Sequence, residues 1–154
     1  MKKFLRGFKH AMHGISYTYR TQRNMRIHIT IAALVWLFAV AYGISEAQRM
    51  LLLCMTALVI VAEAVNTAIE KAVDMAIREF HPIARAAKDA AAGAVLISAL
   101  FAVISAGMIF LDSEKLTAAF NVILSDWRHI LAFAAIAICG LTWIIFGGKN
   151  IDNE

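Results

Sequence analysis

The sequence predicts an all-α membrane protein with an N-terminal amphipathic surface helix, a three-span helical core and a fourth transmembrane helix. The chain has 154 residues, of which 61% are hydrophobic, whereas soluble proteins average roughly 45–50% apolar residues. A chain of this length cannot bury such an excess in one core. Four segments approach the ~20 residues that cross a hydrocarbon layer of about 30 Å. Their apolar residues do not alternate as in barrel strands.

The first element, residues 1–22, is expected to form a helix on the membrane surface. At 100° per residue, one side of this helix is apolar and the opposite side is basic. The apolar side consists of Phe4, Leu5, Phe8, Met12, Ile15 and Tyr19, and the basic side of Lys2, Arg6, Lys9, His10, His13 and Arg20. Such a helix binds an anionic membrane surface. The alternative interpretation is a basic segment that is solvated and serves only as an anchor. Because basic residues are spread through the segment, it is not a signal peptide.

The spans follow in order along the chain. Residues 1–111 form the predicted core, with spans at about 27–45, 50–70 and 90–111, and residues 112–154 contain an outer loop, a fourth span at about 129–148 and a short tail. Of the 15 Lys and Arg residues, only Arg49, Lys115 and Arg128 lie in the two outer loops. This asymmetry predicts a protein of the cytoplasmic (inner) membrane with both termini in the cytoplasm. Cys54 and Cys139 lie in different apolar spans, so no disulfide is expected.

The second span ends in a polar stripe. Glu63, Asn66, Glu70 and Asp74, within AEAVNTAIEKAVD (residues 62–74), share one helix face over about 16 Å. One acid near the bilayer centre costs ~2.5–3.5 kcal/mol on insertion scales. Oxygen ligands on one face suit a hard ion such as Mg²⁺, and apolar surroundings at Glu63 favour proton acceptance. The stripe predicts a cation and proton-handling site, and packing polarity in a wet interhelical gap is the alternative.

The loop before the third span adds cationic and small residues. EFHPIARAAKDAAAGAV (residues 79–95) contains Lys88 and Asp89, followed by Ala and Gly residues that permit close approach to the backbone. The sequence contains neither GxxxxGK[ST] nor GxGxxG. A nucleotide bound here would therefore be held through Lys88 and bridging Mg²⁺. From spacing alone, a solvated Lys88–Asp89 pair is the alternative.

Several blocks of residues together carry a family resemblance. They are Glu63-x-x-Asn66-Thr-Ala-Ile-Glu70-x-x-Val73-Asp74, His81-Pro82, Ala87-Lys88-Asp89-x-x-x-Gly93-Ala94-Val95-Leu96, Phe4-x-x-x-Phe8-x-x-Ala11-x-x-Gly14, and Arg23-Asn24-Met25-Arg26-Ile27-His28. These blocks and their spacing resemble the small prokaryotic lipid kinases, the diacylglycerol kinase and undecaprenol kinase family. The resemblance covers roughly Phe4 to Leu111, so the fourth span lies outside it.

The resemblance implies a homotrimeric membrane enzyme that uses Mg²⁺ and transfers the γ-phosphoryl group of ATP to a lipid hydroxyl group. Glu63 matches the family's general base, Glu70 a metal ligand, and Asn66 a supporting residue of the site. The nucleotide-contacting positions are matched by His10, Glu79, Phe80, His81, Lys88 and Asp89. Gln22 stands where the family commonly has a second metal-binding Glu. Its amide oxygen can bind Mg²⁺ but adds no negative charge, so either the metal affinity is lower or Asp74 or a water molecule compensates.

The resemblance also leads to a substrate prediction. The His81-Pro82 turn and the run from Lys88 to Val95 look more like the Gram-positive type of undecaprenol kinase, so undecaprenol is the predicted lipid alcohol and diacylglycerol the alternative. Nucleic acid is not an expected partner. Two other classes remain open: a small cation-conducting or ion-coupled bundle with Glu63 and Glu70 along its path, and an inactive scaffold marked by Gln22 and the fourth span.

Overall fold

The computed structural model describes residues 2–77 and 79–148, and this part of the chain consists of α-helices. In chain order they are α1 (Lys2–Thr21), α2 (Arg23–Tyr42), α3 (Glu46–Ala76), α4 (Pro82–Ile109), α5 (Ser113–Ser125) and α6 (Trp127–Phe146). Four of them, α2, α3, α4 and α6, are long and apolar enough to span a membrane. The predicted all-α class with four spans is therefore confirmed. The predicted tail after the fourth span lies outside the described residues.

Short connections with clear sequence signals join the first three spans. Gly43 ends α2 with a φ of 71°, a left-handed conformation that glycine adopts without steric cost. Ser45 and Gln48 then form a reciprocal capping box at the start of α3. His81 is the N-cap of α4 and Pro82 its first residue, where a proline loses no helical hydrogen bond. These connections make α2, α3 and α4 successive antiparallel neighbours.

Helices α3 and α4 extend beyond the spans expected at 50–70 and 90–111. They contain 31 and 28 residues, or ~46 and ~42 Å at 1.5 Å per residue, whereas α2 has 20 residues. Because α2 and α3 are antiparallel and joined at Gly43, the longer α3 extends beyond the start of α2. Helix α1 packs on this extension of α3. Hydropathy marks only the apolar part of a helix, so the polar extensions were not included in the expected spans.

Residues 112–128, expected as a connecting loop, contain helix α5. The Asp112 side chain caps α5 by accepting hydrogen bonds from the backbone N–H groups of Glu114 and Lys115 at 3.0 and 3.1 Å. Helix α5 packs against α2. With 13 residues, α5 is too short to cross the hydrocarbon layer. Its apolar segment is therefore shorter than the pattern that predicts a span.

The bundle has two ends of different composition. At the aromatic end, α5 packs on α2, and a buried cluster joins residues of α2, α3, α4 and α5 with Ile44 of the turn: Ala39, Tyr42, Ile44, Leu52, Ile109 and Ala119. At the polar end, α1 and the start of α2 lie beside the end of α3, the start of α4 and the end of α6. Helix α4 packs on α3, whereas α6 packs on α2 and α5, so α2 and α3 separate the fourth span from α4.

Two further sequence predictions concern exposed residues. The apolar side of α1 is exposed, including Phe4, Phe8 and Ile15, and its placement on a membrane surface stays a prediction. Cys54 and Cys139 are both free thiols on exposed positions.

Candidate active site

Glu63 is a fully buried carboxylic acid on α3. Its exposed fraction is 1%, because α3 packs along α4 at this level. The Thr67 hydroxyl donates to the backbone carbonyl of Glu63 at 2.9 Å. Within residues 2–77 and 79–148, the carboxyl oxygen Oε2 of Glu63 has no hydrogen-bond partner. A buried polar atom that lacks a partner is costly and is a candidate for binding a substrate.

Asn66 connects the buried acid to Glu70. Asn66 is also buried, and its Nδ2 donates to Oε1 of Glu70 at 3.1 Å. Its Oδ1 is a second buried acceptor for which the described residues supply no donor. Glu70 is half-buried, one turn nearer the end of α3. Two carboxylates and an amide oxygen therefore follow one another along one helix face, and the exposed fraction increases from Glu63 to Glu70.

Asp74 and Lys88 form the outer part of this face. The Lys88 ammonium lies 2.8 Å from Oδ1 of Asp74, and their side chains are 37% and 57% exposed. This ion pair joins the end of α3 to the start of α4. Sequence reasoning did not find it, because the two residues lie on different helices and 14 positions apart.

The other candidate residues of the loop before the third span, residues 79–95, either make local contacts or are exposed. Asp89 pairs with Arg85 at 3.6 Å on the same helix, so Lys88 and Asp89 have different partners and do not form the solvated pair considered from spacing. The Nδ1 atom of His81 accepts the Ile83 N–H at 3.3 Å and caps α4. The two residues before it, Glu79 and Phe80, are exposed.

Helix α1 lies beside the end of α3. The Lys71 ammonium is 5.6 Å from the ring centroid of Tyr17, a cation–π contact next to Glu70 in the sequence. His10 is exposed on α1. Gln22, at the junction of α1 and α2, is half-buried, and its side chain makes no capping hydrogen bond. In the described part of the chain no hydrogen bond joins Gln22 to Glu70, so the predicted ligand pair stays a prediction.

The oxygen donors of this face fit Mg²⁺. In phosphoryl-transfer sites Mg²⁺ is typically bound through one or two carboxylates, the substrate phosphates and water. The Glu70 carboxylate and Asn66 Oδ1 are donors of this kind. Among the residues that the structure describes, no three His, Cys, Asp or Glu side chains converge on one point. The Glu70 and Asn66 oxygens could supply part of the coordination of Mg²⁺.

An apolar cleft of about 190 Å³ lies between α2, α3 and α4. Val59 and Ile60, one turn before Glu63 on α3, belong to its lining, and Val35 and Ala106 line it farther towards the aromatic end. Its polar lining residues are His28 and Thr56. The cleft therefore offers an apolar surface that begins beside the buried carboxyl group.

Arg26 is a buried cation that the sequence did not reveal. Its exposed fraction is 4%, and its Nη1 donates to the backbone carbonyl of Arg20 at 3.0 Å. It thereby bridges the break between α1 and α2. The sequence contains no signal for this burial, since it depends on the fourth span, which approaches Arg26 from elsewhere in the chain.

Comparisons with known proteins agree with this arrangement. The sequence model of the family described as prokaryotic diacylglycerol kinase matches residues 9–110, which include α2, α3, α4 and the greater part of α1. A diacylglycerol kinase from Synechocystis sp. is 41% identical over 112 residues, covering 68% of this chain and 60% of that protein. An undecaprenol kinase from Bacillus subtilis is 38% identical over 111 residues, covering 72% and 90%. A diacylglycerol kinase from Helicobacter pylori strain J99 is 33% identical over 103 residues, covering 65% and 78%.

The family and the names of these relatives indicate a lipid kinase, a phosphotransferase of the membrane. The chain belongs to the prokaryotic diacylglycerol kinase family, which confirms the resemblance carried by the polar stripe and the second loop. The matched region spans about 60% of the Synechocystis protein and 90% of the Bacillus protein. No solved structure matches the chain significantly.

Proposed function

We propose that this chain is an undecaprenol kinase that transfers the γ-phosphoryl group of ATP to the hydroxyl group of undecaprenol. The observation that carries the proposal is the buried Glu63 carboxyl, whose Oε2 lacks a partner among the described residues. Glu63 follows Val59 and Ile60, which line an apolar cleft, by one helical turn. A lipid alcohol would place its chain in the cleft and its hydroxyl group at Glu63. The Bacillus undecaprenol kinase, 90% of which is covered by the match, supports this substrate.

In the proposed reaction, Glu63 accepts the proton of the lipid hydroxyl group. The lipid oxygen forms a bond to the γ-phosphorus, the bond from that phosphorus to the β,γ-bridging oxygen breaks, and ADP leaves. Asn66 orients Glu70 through the 3.1 Å hydrogen bond, and Glu70, with Gln22 as a second candidate, would hold Mg²⁺. The metal would neutralise charge on the phosphates. Lys88 would exchange Asp74 for a phosphate oxygen.

The cleft has an almost entirely apolar lining, which suits the hydrocarbon chain of a lipid alcohol. Undecaprenol is the first candidate because of the Bacillus relative. Diacylglycerol remains the second candidate, because the family and the Synechocystis relative carry that name.

The proposal includes an orientation and an assembly. With both termini in the cytoplasm of the cytoplasmic membrane, the polar end of the bundle faces the compartment that contains ATP, and the basic side of α1 faces anionic lipid headgroups. The homotrimer that the resemblance implies is consistent with α4, which packs on α3 and exposes Leu100, Phe101 and Val103.

The test is a lipid-phosphorylation assay on the purified protein. The full chain in lipid nanodiscs is incubated with Mg²⁺ and radiolabelled ATP, and with undecaprenol or diacylglycerol at equal mole fractions. We expect the higher kcat/KM for undecaprenol. A higher value for diacylglycerol would overturn the substrate assignment, and no phosphorylation of either lipid would overturn the kinase assignment. Proteoliposomes that conduct cations without phosphorylating lipid would instead support the ion-conducting bundle.

A further inference from the structure

The fourth span packs tightly against α2 at Gly140. Gly140 is the buried residue of α6, and a β-carbon at this position would overlap the side chain of Thr30 on α2. The Thr30 hydroxyl donates to the Arg26 carbonyl on its own helix at 2.8 Å. Thr30 and Gly140 thereby allow the two helices to pack with minimal separation, as small residues do in membrane bundles.

Two further contacts of α6 lie at the polar end. The rings of Tyr19 on α1 and Trp143 on α6 have centroids 4.6 Å apart and an interplanar angle of 51°. Two residues beyond the end of α6, a β-carbon at Gly148 would lie 3.3 Å from Nη2 of Arg26. The same guanidinium group donates to the Arg20 carbonyl of α1. The fourth span therefore contacts both helices that meet at the α1–α2 junction.

This junction controls the direction of α1. Only Gln22 separates α1 from α2, and its extended backbone breaks the helix between them. On one side, Tyr17 brings α1 against Lys71 of α3, next to the Glu70 position. On the other side, Tyr19 brings it against α6. Helix α1 is thus held between the helix that carries the candidate site and a span outside the region matched by the family.

We propose that the fourth span is an intramolecular brace that fixes the α1–α2 junction beside the polar end of α3. Gly140 and Trp143 are positioning residues in this arrangement, because they contact α2 and α1 and act on the site through them. The expected effect on nucleotide binding rests on the proposed kinase function. It follows because α1 carries His10, a candidate nucleotide contact, and the junction carries Gln22, a candidate metal ligand.

The kinetic test compares two variants with two matched controls in the full chain. Gly140→Leu separates α6 from Thr30, and Trp143→Ala removes the ring that contacts Tyr19. Ala135→Leu is the first control, since Ala135 is exposed on the same helix as Gly140. Trp127→Ala is the second, since Trp127 is exposed on the same helix as Trp143. We expect the brace variants to raise the KM for Mg·ATP by about three- to tenfold, the range for one lost aromatic pair, with kcat largely kept. The controls should match the parent protein, and Trp143→Phe should restore the KM.

A second measurement, the rate of trypsin cleavage at Arg20 and Arg23, tests the brace without any kinase activity. Both residues flank the junction, and cleavage requires local opening of the helices. Gly140→Leu and Trp143→Ala should be cleaved faster than the controls. Unchanged KM and unchanged cleavage would overturn the brace. A fall in kcat at constant KM, without rescue by Trp143→Phe, would also overturn it, because it indicates a loss of folded protein only. Parent protein that phosphorylates no lipid refutes the proposed function, and the cleavage rates then decide the brace separately.

Discussion

The aromatic end and the polar end of the bundle are built from the same long helices but are stabilised differently. At the aromatic end, rings fill the space between helices: Phe110 packs against Phe38 and Tyr42 with centroids 5.1 and 5.0 Å away. At the polar end, the buried side chains include Glu63, Asn66 and Arg26. One end therefore gains stability from complementary packing, whereas the other buries groups that require partners.

The polar end is destabilised by its buried polar atoms that lack hydrogen bonds. A buried polar atom without a hydrogen bond costs about 1–3 kcal/mol, and in the described part of the chain Glu63 and Asn66 each have one such acceptor. Atoms of this kind are rare in folded proteins and tend to occur at functional sites. Substitutions at the polar end should therefore change catalysis more than stability, and substitutions at the aromatic end should do the reverse.

The largest expected effect is that of Glu63→Gln. A positioned general base contributes roughly 10²- to 10⁴-fold to a rate, so kcat for lipid phosphorylation should fall by about this factor. The Tm should stay the same or rise, because a neutral amide is cheaper to bury than a carboxylate. Glu114→Gln, on the exposed start of α5, is the control with the same chemical change. Turnover within about threefold of the parent protein would reject Glu63 as the base.

Ile109→Ala tests the opposite end. Ile109 is 4% exposed, and its truncation leaves a cavity that should lower the free energy of unfolding by about 2–4 kcal/mol. Denaturant titration in mixed micelles measures this change. The kcat and KM of the protein that remains folded should be unaffected. Ile138→Ala removes the same atoms from an exposed position on α6 and should have little effect. A changed KM for Mg·ATP in folded Ile109→Ala would contradict the separation of the two ends.

A smaller effect is expected at the Asp74–Lys88 pair. Because exposed ion pairs contribute little to stability, Lys88→Ala and Asp74→Ala should each leave the Tm nearly unchanged. If Lys88 binds a phosphate, Lys88→Ala should raise the KM for Mg·ATP by about tenfold, the size expected for one lost charge-assisted hydrogen bond. Asp74→Ala should have a much smaller effect on this KM. Equal effects of the two variants would mean that the pair only positions the helices.

The parts of the structure that could be predicted are those with a local signal. Apolar segments of span length gave the four spanning helices, and the 3.6-residue period placed Glu63, Asn66 and Glu70 on one face. The Asp74–Lys88 contact and the burial of Arg26 could not be obtained in this way. Both depend on which helices become neighbours, and a single sequence carries no pattern for this choice.

Helix α5 shows a different limit. Its start has an ordinary capping signal, Asp112 followed by Ser113 and Glu114, but a reading based on hydropathy treats everything between two spans as a loop. The same applies to Asp126, which ends α5 and caps α6. Attention to caps, and not only to apolar length, would have located both helix boundaries.

The smallest expected effect concerns this Asp126 cap. Hydrogen bonds from the Arg128 side chain, and then from its backbone N–H, hold the pKa of Asp126 below its ordinary value. A lowered pKa in the folded state means that the carboxylate contributes stability above the unfolded pKa of about 3.9 and loses it as the pH falls through the folded value. Asp126→Asn keeps a capping oxygen but removes the charge, so it should lower the Tm by no more than about 4 °C at pH 7. This difference should shrink as the pH falls below the unfolded pKa and disappear below the folded pKa, as thermal melts of both proteins would show. A difference that grows in acid would contradict the assigned role of the Arg128 hydrogen bonds.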